Sequence, residues 1–456
     1  MFKQRAMSKM HHYANKGDLT VGPIRKHLVR LTLPMVTSLF AMISFQLVNT
    51  FYISRLGTTE LAAISFTFPI TYIIFSLFLG FGIATSSVVS RLLGEKKPED
   101  VRRIISHSLI MVFITSAIVA GAGLLFFDPL FRLIGAETAL IPLIRDYMHL
   151  YFLGTFFICL PLVINASLRA AGDAKTPAII ITSAALANAV IDPVLIFGLL
   201  GFPRLELQGA AISTLLTSFI ATLAGLYIMQ KRGMISLGAF INFSQFKNSM
   251  QRILVIALPA GITSGLPSIV NSVILSLLAK SGEAPVAAFG VASRVEAFCF
   301  IIMMALASGM APIIGQNWGA DKIDRVRETI KDAILFCIFW SVFVAIILGI
   351  FANSFADLFS SDPAVQKYIV LYFLIVPFTY ALSNIVNGWA SAFNAMGKPQ
   401  YSAGMLFLKL IILLIPALYI GYTAAGAEGV FISIALVNIL TGITFHIFGW
   451  KYATAR

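Results

Sequence analysis

Four side chains put charge where long apolar runs leave little room for it. Of the twenty Asp and Glu residues, only Asp192 and Glu296 fall well inside an apolar run, and Arg294 and Lys409 are the only bases so placed. A lone charge at membrane depth is expensive, so a sequence keeps one only when it is paired, hydrated or used. Asp192 follows Asn188 by one helical turn and directly precedes Pro193. Proline has no N–H, so the Ala189 carbonyl loses its helical partner. A carboxylate, an amide and a freed carbonyl on one face could take up a proton or Na⁺. That is ion-coupling chemistry. The bland alternative is a protonated Asp hydrogen-bonded to a neighbouring helix.

Other polar groups at depth divide the same way. Gln46 and Asn49 share a face and could complete a polar pocket with Asp192, or simply hold helices together. Glu296 sits near mid-membrane, two residues from Arg294 and so nearly opposite to it on the helix. Each therefore needs a partner on another helix; Glu296 is a second ion-coupling candidate, against a structural ion-pair network in which Lys409 is its basic partner or snorkels inward. Asn271, Tyr380, Asn384, Asn387 and Trp389 supply amides and aromatic faces that could hold an organic cation, against an ordinary packing role for each. Gln46, Arg294 and Lys409 join this substrate-facing group. Asp321 and Asp324 form a D-x-x-D, but Arg325 and Arg327 follow and no second such motif exists. A membrane enzyme holding Mg²⁺-diphosphate is therefore disfavoured. Cys159, Cys299 and Cys337 have no ligand spacing, nor do the six histidines, of which His11 and His12 lie on a polar tail.

The elements that position these groups follow from composition. Hydrophobic residues make up 58% of the 456 and charged ones 12%, which excludes disordered, disulfide-scaffold and soluble-enzyme classes. Twelve apolar runs are long enough to cross a bilayer, at 32–54, 61–90, 104–126, 147–168, 176–199, 209–230, 253–279, 286–315, 332–352, 368–392, 401–420 and 429–450. With no water to satisfy the backbone, each should be an α-helix. With the N-terminus inside, inner segments carry 25 Lys and Arg residues and outer ones six, so both termini are expected in the cytoplasm. The first thirty residues are polar and basic, without the apolar core of a cleaved signal peptide. The net charge of +13 reads as topology and attraction to anionic lipid, not nucleic-acid binding.

The chain is also written twice. Leu33-Pro34 recurs as Leu258-Pro259, Ala62-Ala63 as Ala287-Ala288, Gly94 as Gly319, Val101-Arg102 as Val326-Arg327 and Gly172 as Gly397, all at an offset of 225. The fold class is therefore an all-α polytopic membrane protein, twelve helices in two parallel six-helix repeats. The expected organisation is a cytoplasmic segment at 1–31, a lobe at 32–230, a linker at 231–252, a second lobe at 253–450 and a tail at 451–456. No P-loop is present, so an ion gradient is the default energy source.

At the level of motifs the chain resembles the MATE (multidrug and toxic compound extrusion) transporters, in particular the prokaryotic DinF-like branch. The resemblance rests on Leu33-Pro34, on Ser90-Arg91-Leu92-Leu93-Gly94, and on Ala171-Gly172-Asp173-Ala174-Lys175-Thr176-Pro177. It also rests on Asn188 to Pro193, Gly209-Ala210-Ala211 and Gly315-Gln316-Asn317-Trp318-Gly319-Ala320. It implies export of lipophilic, often cationic compounds in exchange for H⁺ or Na⁺, through a cleft between two lobes that open alternately. It further implies an ion site built from Asn188 and Asp192 with Thr214 on the sixth helix. Asn49 stands where the branch carries an Asp on the first helix. The alternative within the superfamily is a flippase or exporter of a lipid-linked or anionic amphiphile. The expected partners are small organic molecules and membrane lipids, with no cofactor beyond the coupling ion, in a monomer of the bacterial inner membrane.

Overall fold

The computed structural model describes residues 10, 13, 17–236, 238–239 and 245–454. Lys3, Arg5, Lys9, Lys16, His11, His12 and Arg456 lie outside the described residues. No strand occurs among the described residues. The crossings are α1 (Ile24–Ser54), α2 (Thr58–Gly94), α3 (Pro98–Leu125), α4 (Ile141–Ala170), α5 (Lys175–Phe197) and α6 (Glu206–Lys231). Then follow α7 (Phe246–Ala279), α8 (Glu283–Gly319), α9 (Ile323–Ile350) and α10 (Pro363–Ala395), the last interrupted by a tight turn at Pro377–Thr379. A final helical stretch, Pro399–Thr454, leaves helical geometry at Ala425 and Gly426. Gly426 has φ 58° and ψ −136°, a conformation open essentially to glycine alone. Beyond it the chain doubles back, and Ser433 Oγ donates to Ala417 O at 2.8 Å. The stretch is thus two crossings, α11 (399–424) and α12 (427–454), which completes twelve.

The repeat seen in the residues is repeated in the elements. Shifting α2 by 225 reproduces the bounds of α8, and shifting α3 reproduces those of α9. Even the short helix Phe127–Leu133 returns as Ala352–Phe359.

Two compact units are present, but their limits differ from the lobes expected at 32–230 and 253–450. One holds the described residues up to Asp18 together with Leu33–Gly261; the other holds Leu19–Thr32 and everything from Ile262 on. The divisions fall inside α1 and α7 because of close helix contacts. In the first unit a Cβ on Gly80 of α2 would lie 2.3 Å from the Ala257 carbonyl and 2.8 Å from the Gly261 nitrogen of α7. In the second, a Cβ on Gly309 of α8 would meet Thr32 of α1 at 2.8 Å. Small residues let backbones approach this closely in membranes.

Two of the motifs prove to be anchors for the N-terminal segment. In the second unit Gln316 Oε1 accepts from the Leu19 N–H at 2.8 Å, and Asn317 Nδ2 donates to Leu19 O at 3.1 Å. Lys322 and Arg325 donate to the carbonyls of Thr20 and Gly22, each at 2.9 Å. In the first unit the loop before α5 places Asp173 against Arg232 at 2.6 Å, and the guanidinium also stacks 4.5 Å from the Tyr13 ring centre.

Burial would raise the Asp173 carboxyl. Hydrogen bonds from Thr176 and the adjacent Arg232 charge outweigh it and hold the group below its ordinary 3.8. A carboxyl lowered by folding adds stability above its unfolded pKa and loses it as pH falls through the folded value. Asp173→Asn is therefore expected to lower stability at neutral pH by about 1–2 kcal/mol. Thermal unfolding in detergent should show that deficit shrinking as pH drops below 3.8.

Candidate functional site

In the first unit the site is assembled by α1, α4, α5 and α6. Gly209, opening α6, comes so close to α5 that a Cβ there would sit 2.7 Å from the Leu195 carbonyl. That contact sets the register of the antiparallel pair. One and two turns further along α6, Ser213 and Thr217 meet Asn188 of α5. Both hydroxyls donate to Asn188 Oδ1, at 3.1 and 2.7 Å. The Ala189 carbonyl freed by Pro193 is filled from α1, where Tyr52 Oη donates to it at 3.2 Å.

Asp192 closes this group with 0% exposure. Neither of its carboxyl oxygens has a hydrogen-bond partner. Ser213 lies near enough to interact with the carboxyl, as does Tyr147 of α4, but the Ser213 hydroxyl points to Asn188. A buried polar group left unpartnered carries its full desolvation cost, and a carboxylate carries more than a neutral group. A proton on the carboxyl, or a cation beside it, removes much of that cost. The arrangement is thus suited to taking up a positive charge and giving it back.

Asn49 is half-buried with an unpartnered Oδ1, and Gln46 is exposed. The reach from α1 to α5 is made by Tyr52, one turn beyond Asn49. Thr214, expected at the ion site, contributes only its backbone carbonyl, 3.1 Å from the Thr217 hydroxyl, whose one proton has its shortest contact at Asn188 Oδ1. Ser213 and Thr217 take its place because they, four residues apart, form the stripe of α6 that faces Asn188. The signal was present in the sequence as two hydroxyls one turn apart after Gly209-Ala210-Ala211. Tyr52 had no such signal.

A second charged cluster lies in the second unit. Tyr372 Oη donates to Glu296 Oε2 at 2.7 Å. Lys409 Nζ donates to Ser383 Oγ at 2.8 Å and is buried. No direct ion pair joins Lys409 to Glu296 among the described residues; each is hydrogen-bonded to a different residue of α10. Tyr380 and Asn384 are buried on the same helix, with Tyr380 edge-on to Phe300 at 4.7 Å.

The remaining substrate candidates separate. Arg294, Asn271 and Asn387 are exposed. Trp389 is not presented to any opening. It is 1% exposed, donates from Nε1 to His446 Nδ1 at 3.3 Å, and lies against Gly449, where a Cβ would sit 2.3 Å from its ring. Its role is to join α10 to α12. Asp324 is paired with Arg327 at 3.0 Å in the first turn of α9.

Twelve crossings in two six-helix repeats, with ionisable groups held at membrane depth in each, define a multi-pass membrane protein of the transporter class. The MatE family model matches residues 34–194 and again 259–420, once per repeat. The chain belongs to the MatE family and is a MATE-type exporter. It is 36% identical to an FAD transporter of Shewanella oneidensis, over 95% of this chain and 96% of that one. It is 28% identical to the multidrug export protein MepA of Staphylococcus haemolyticus, over 91% of each. Among solved structures, the Vibrio cholerae MATE transporter VcmN in its bent form superposes with a TM-score of 0.89 at 27% identity, over 98% of both chains.

Proposed function

We propose that this exporter expels bulky organic compounds, cationic drugs among them, in exchange for H⁺ or Na⁺, with Asp192 as the coupling group. The observation that carries the reading is a fully buried carboxyl with both oxygens unpartnered, beside an Asn188 Oδ1 that accepts from α6 and an Ala189 carbonyl that accepts from Tyr52. The pattern favours H⁺ of the two ions. Both lone pairs of Asn188 Oδ1 are engaged by Ser213 and Thr217, and Tyr52 occupies the Ala189 carbonyl. Few free oxygens then remain to ring a Na⁺, whereas a proton needs only the carboxyl. The protein acts as a monomer, both lobes being on one chain, in the bacterial inner membrane with both termini in the cytoplasm. Alternating access of the two lobes supplies the transport step.

A second reading concerns the substrate. The relative in Shewanella is named for FAD, an aromatic dinucleotide that carries negative charge. Arg294 is exposed and able to meet such an anion, while Lys409 is sunk into its bundle and unsuited to do so. Purified protein in lipid vesicles, with pH and Na⁺ gradients imposed separately, tests both readings. Ethidium extrusion under a pH gradient is expected, and FAD is the competing substrate to add. Export indifferent to both gradients would remove the coupling reading. Export of FAD with no movement of ethidium would shift the substrate class to anions.

A further inference from the structure

We propose that Arg294 reads the phosphate of an aromatic substrate, its guanidinium lying over open backbone at Gly290 while the Phe298 ring takes the aromatic portion. The inference rests on the second substrate reading, export of an anion, and adds to it the residue that does the selecting.

Arg294 stands eight residues into the apolar run at 286–315, about 12 Å from its outer end at 1.5 Å per residue. That is more than two helical turns, longer than an arginine side chain, so the charge does not snorkel out to the interface. The residue is exposed, and among the described residues no hydrogen bond, ion pair or ring contact occupies its side chain. A cation in that state at membrane depth faces water or an anion, not lipid tails. Neither acid of α8 is placed to neutralise it. Glu296 points to nearly the opposite side of the helix and accepts from Tyr372, and Glu283 is three turns away.

The helix face around Arg294 suits a flat guest. A helical side chain covers the turn on the N-terminal side of its own Cα, which puts Arg294 over Gly290. A Cβ on Gly290 would meet nothing within 4 Å, and Ala287, a turn further out, is small and exposed, so open surface lies beside the guanidinium. Phe298, one turn inward on the same face, is 39% exposed and leans by the same rule toward Arg294. The first repeat lacks all three groups. α2 has the bounds of α8 shifted by 225, yet Pro69, Ser65 and Ile73 stand where Arg294, Gly290 and Phe298 do. The shared fold therefore does not ask for a cation there, and the second repeat carries one for binding. A planar guanidinium meets phosphate oxygens through two parallel N–H bonds, and an aromatic ring stacks on a flat heterocycle.

Binding of two flavins to the full-length protein in detergent tests this, because FMN and riboflavin share a ring system and differ by one phosphate. Wild type should bind FMN about 10- to 100-fold more tightly than riboflavin, the range for hydrogen bonds to a charged group. Arg294→Gln should lose that preference while its riboflavin Kd stays within about twofold of wild type, as for a surface substitution. Arg294→Lys keeps the charge without the planar fork and should fall between the two. Phe298→Leu should weaken both flavins alike, by about 2- to 10-fold. Arg294→Gln should also melt within about 2 °C of wild type, since the side chain has no partner to lose. An Arg294→Gln variant that still prefers FMN overturns the assignment to this residue and leaves the anion reading standing. A wild type that holds riboflavin as tightly as FMN, or binds neither, overturns the anion reading and the inference with it. An Arg294→Gln variant that melts far below wild type overturns the inference too, because Arg294 would then be a packing residue.

Discussion

Asp192→Asn is expected to reduce gradient-driven extrusion to the level of protein-free vesicles while leaving the fold intact. Asparagine fills the same volume, so the packing of α5 against α6 at Gly209 and Leu195 is unchanged. What it loses is the ability to bind and release a positive charge in a site where no other acid is present among the described residues. Its amide is neutral, and stranding a neutral group costs less than stranding a carboxylate. The melting temperature in detergent should therefore equal or exceed that of wild type at neutral pH. The two measurements together separate coupling from folding. Wild-type extrusion by Asp192→Asn under a pH gradient would take the coupling role away from this residue.

The largest stability effect is expected at Gly429. α11 and α12 touch backbone to backbone there: a Cβ on Gly429 would lie 1.8 Å from the Gly421 carbonyl oxygen. No flexible side chain can yield, so Gly429→Ala must push the helices apart and break the bond from Ser433 to the Ala417 carbonyl. A loss of about 3 kcal/mol or more follows, at the upper end of overpacking effects. Gly121→Ala is the control, because nothing lies within 4 Å of a Cβ at that position. Within α3, one turn from its end, it should be neutral or stabilising by up to about 1 kcal/mol. Size-exclusion profiles and thermal unfolding of the two variants decide the matter. Equal melting temperatures would contradict the close approach of α11 and α12.

Much of the architecture was readable before any coordinates. Hydrocarbon admits only backbone that satisfies itself, so apolar runs translate directly into helices, and a shared offset of 225 announces a duplicated bundle. The break between α11 and α12 was readable only as the gap between the apolar runs at 401–420 and 429–450. Asp192 stood out because a charge at depth is costly whatever surrounds it. Less could be read about partners. Thr214 was expected where Ser213 and Thr217 stand, and Trp389 was placed with the substrate group although it is sealed against Gly449. On a helix that is apolar nearly all round, periodicity does not say which stripe meets which neighbour.

What the sequence determined by itself was the number of crossings, their pairing into repeats and the presence of an acid that needs a use. The tertiary structure decided which hydroxyls serve Asn188, that Tyr52 covers the carbonyl Pro193 had freed, and that α1 and α7 each belong partly to two units. The division has a physical cause. Burial in lipid acts on each residue singly and leaves its mark in composition. Helix register is set by a few glycine contacts between distant segments, and those contacts exist only once the bundle has closed.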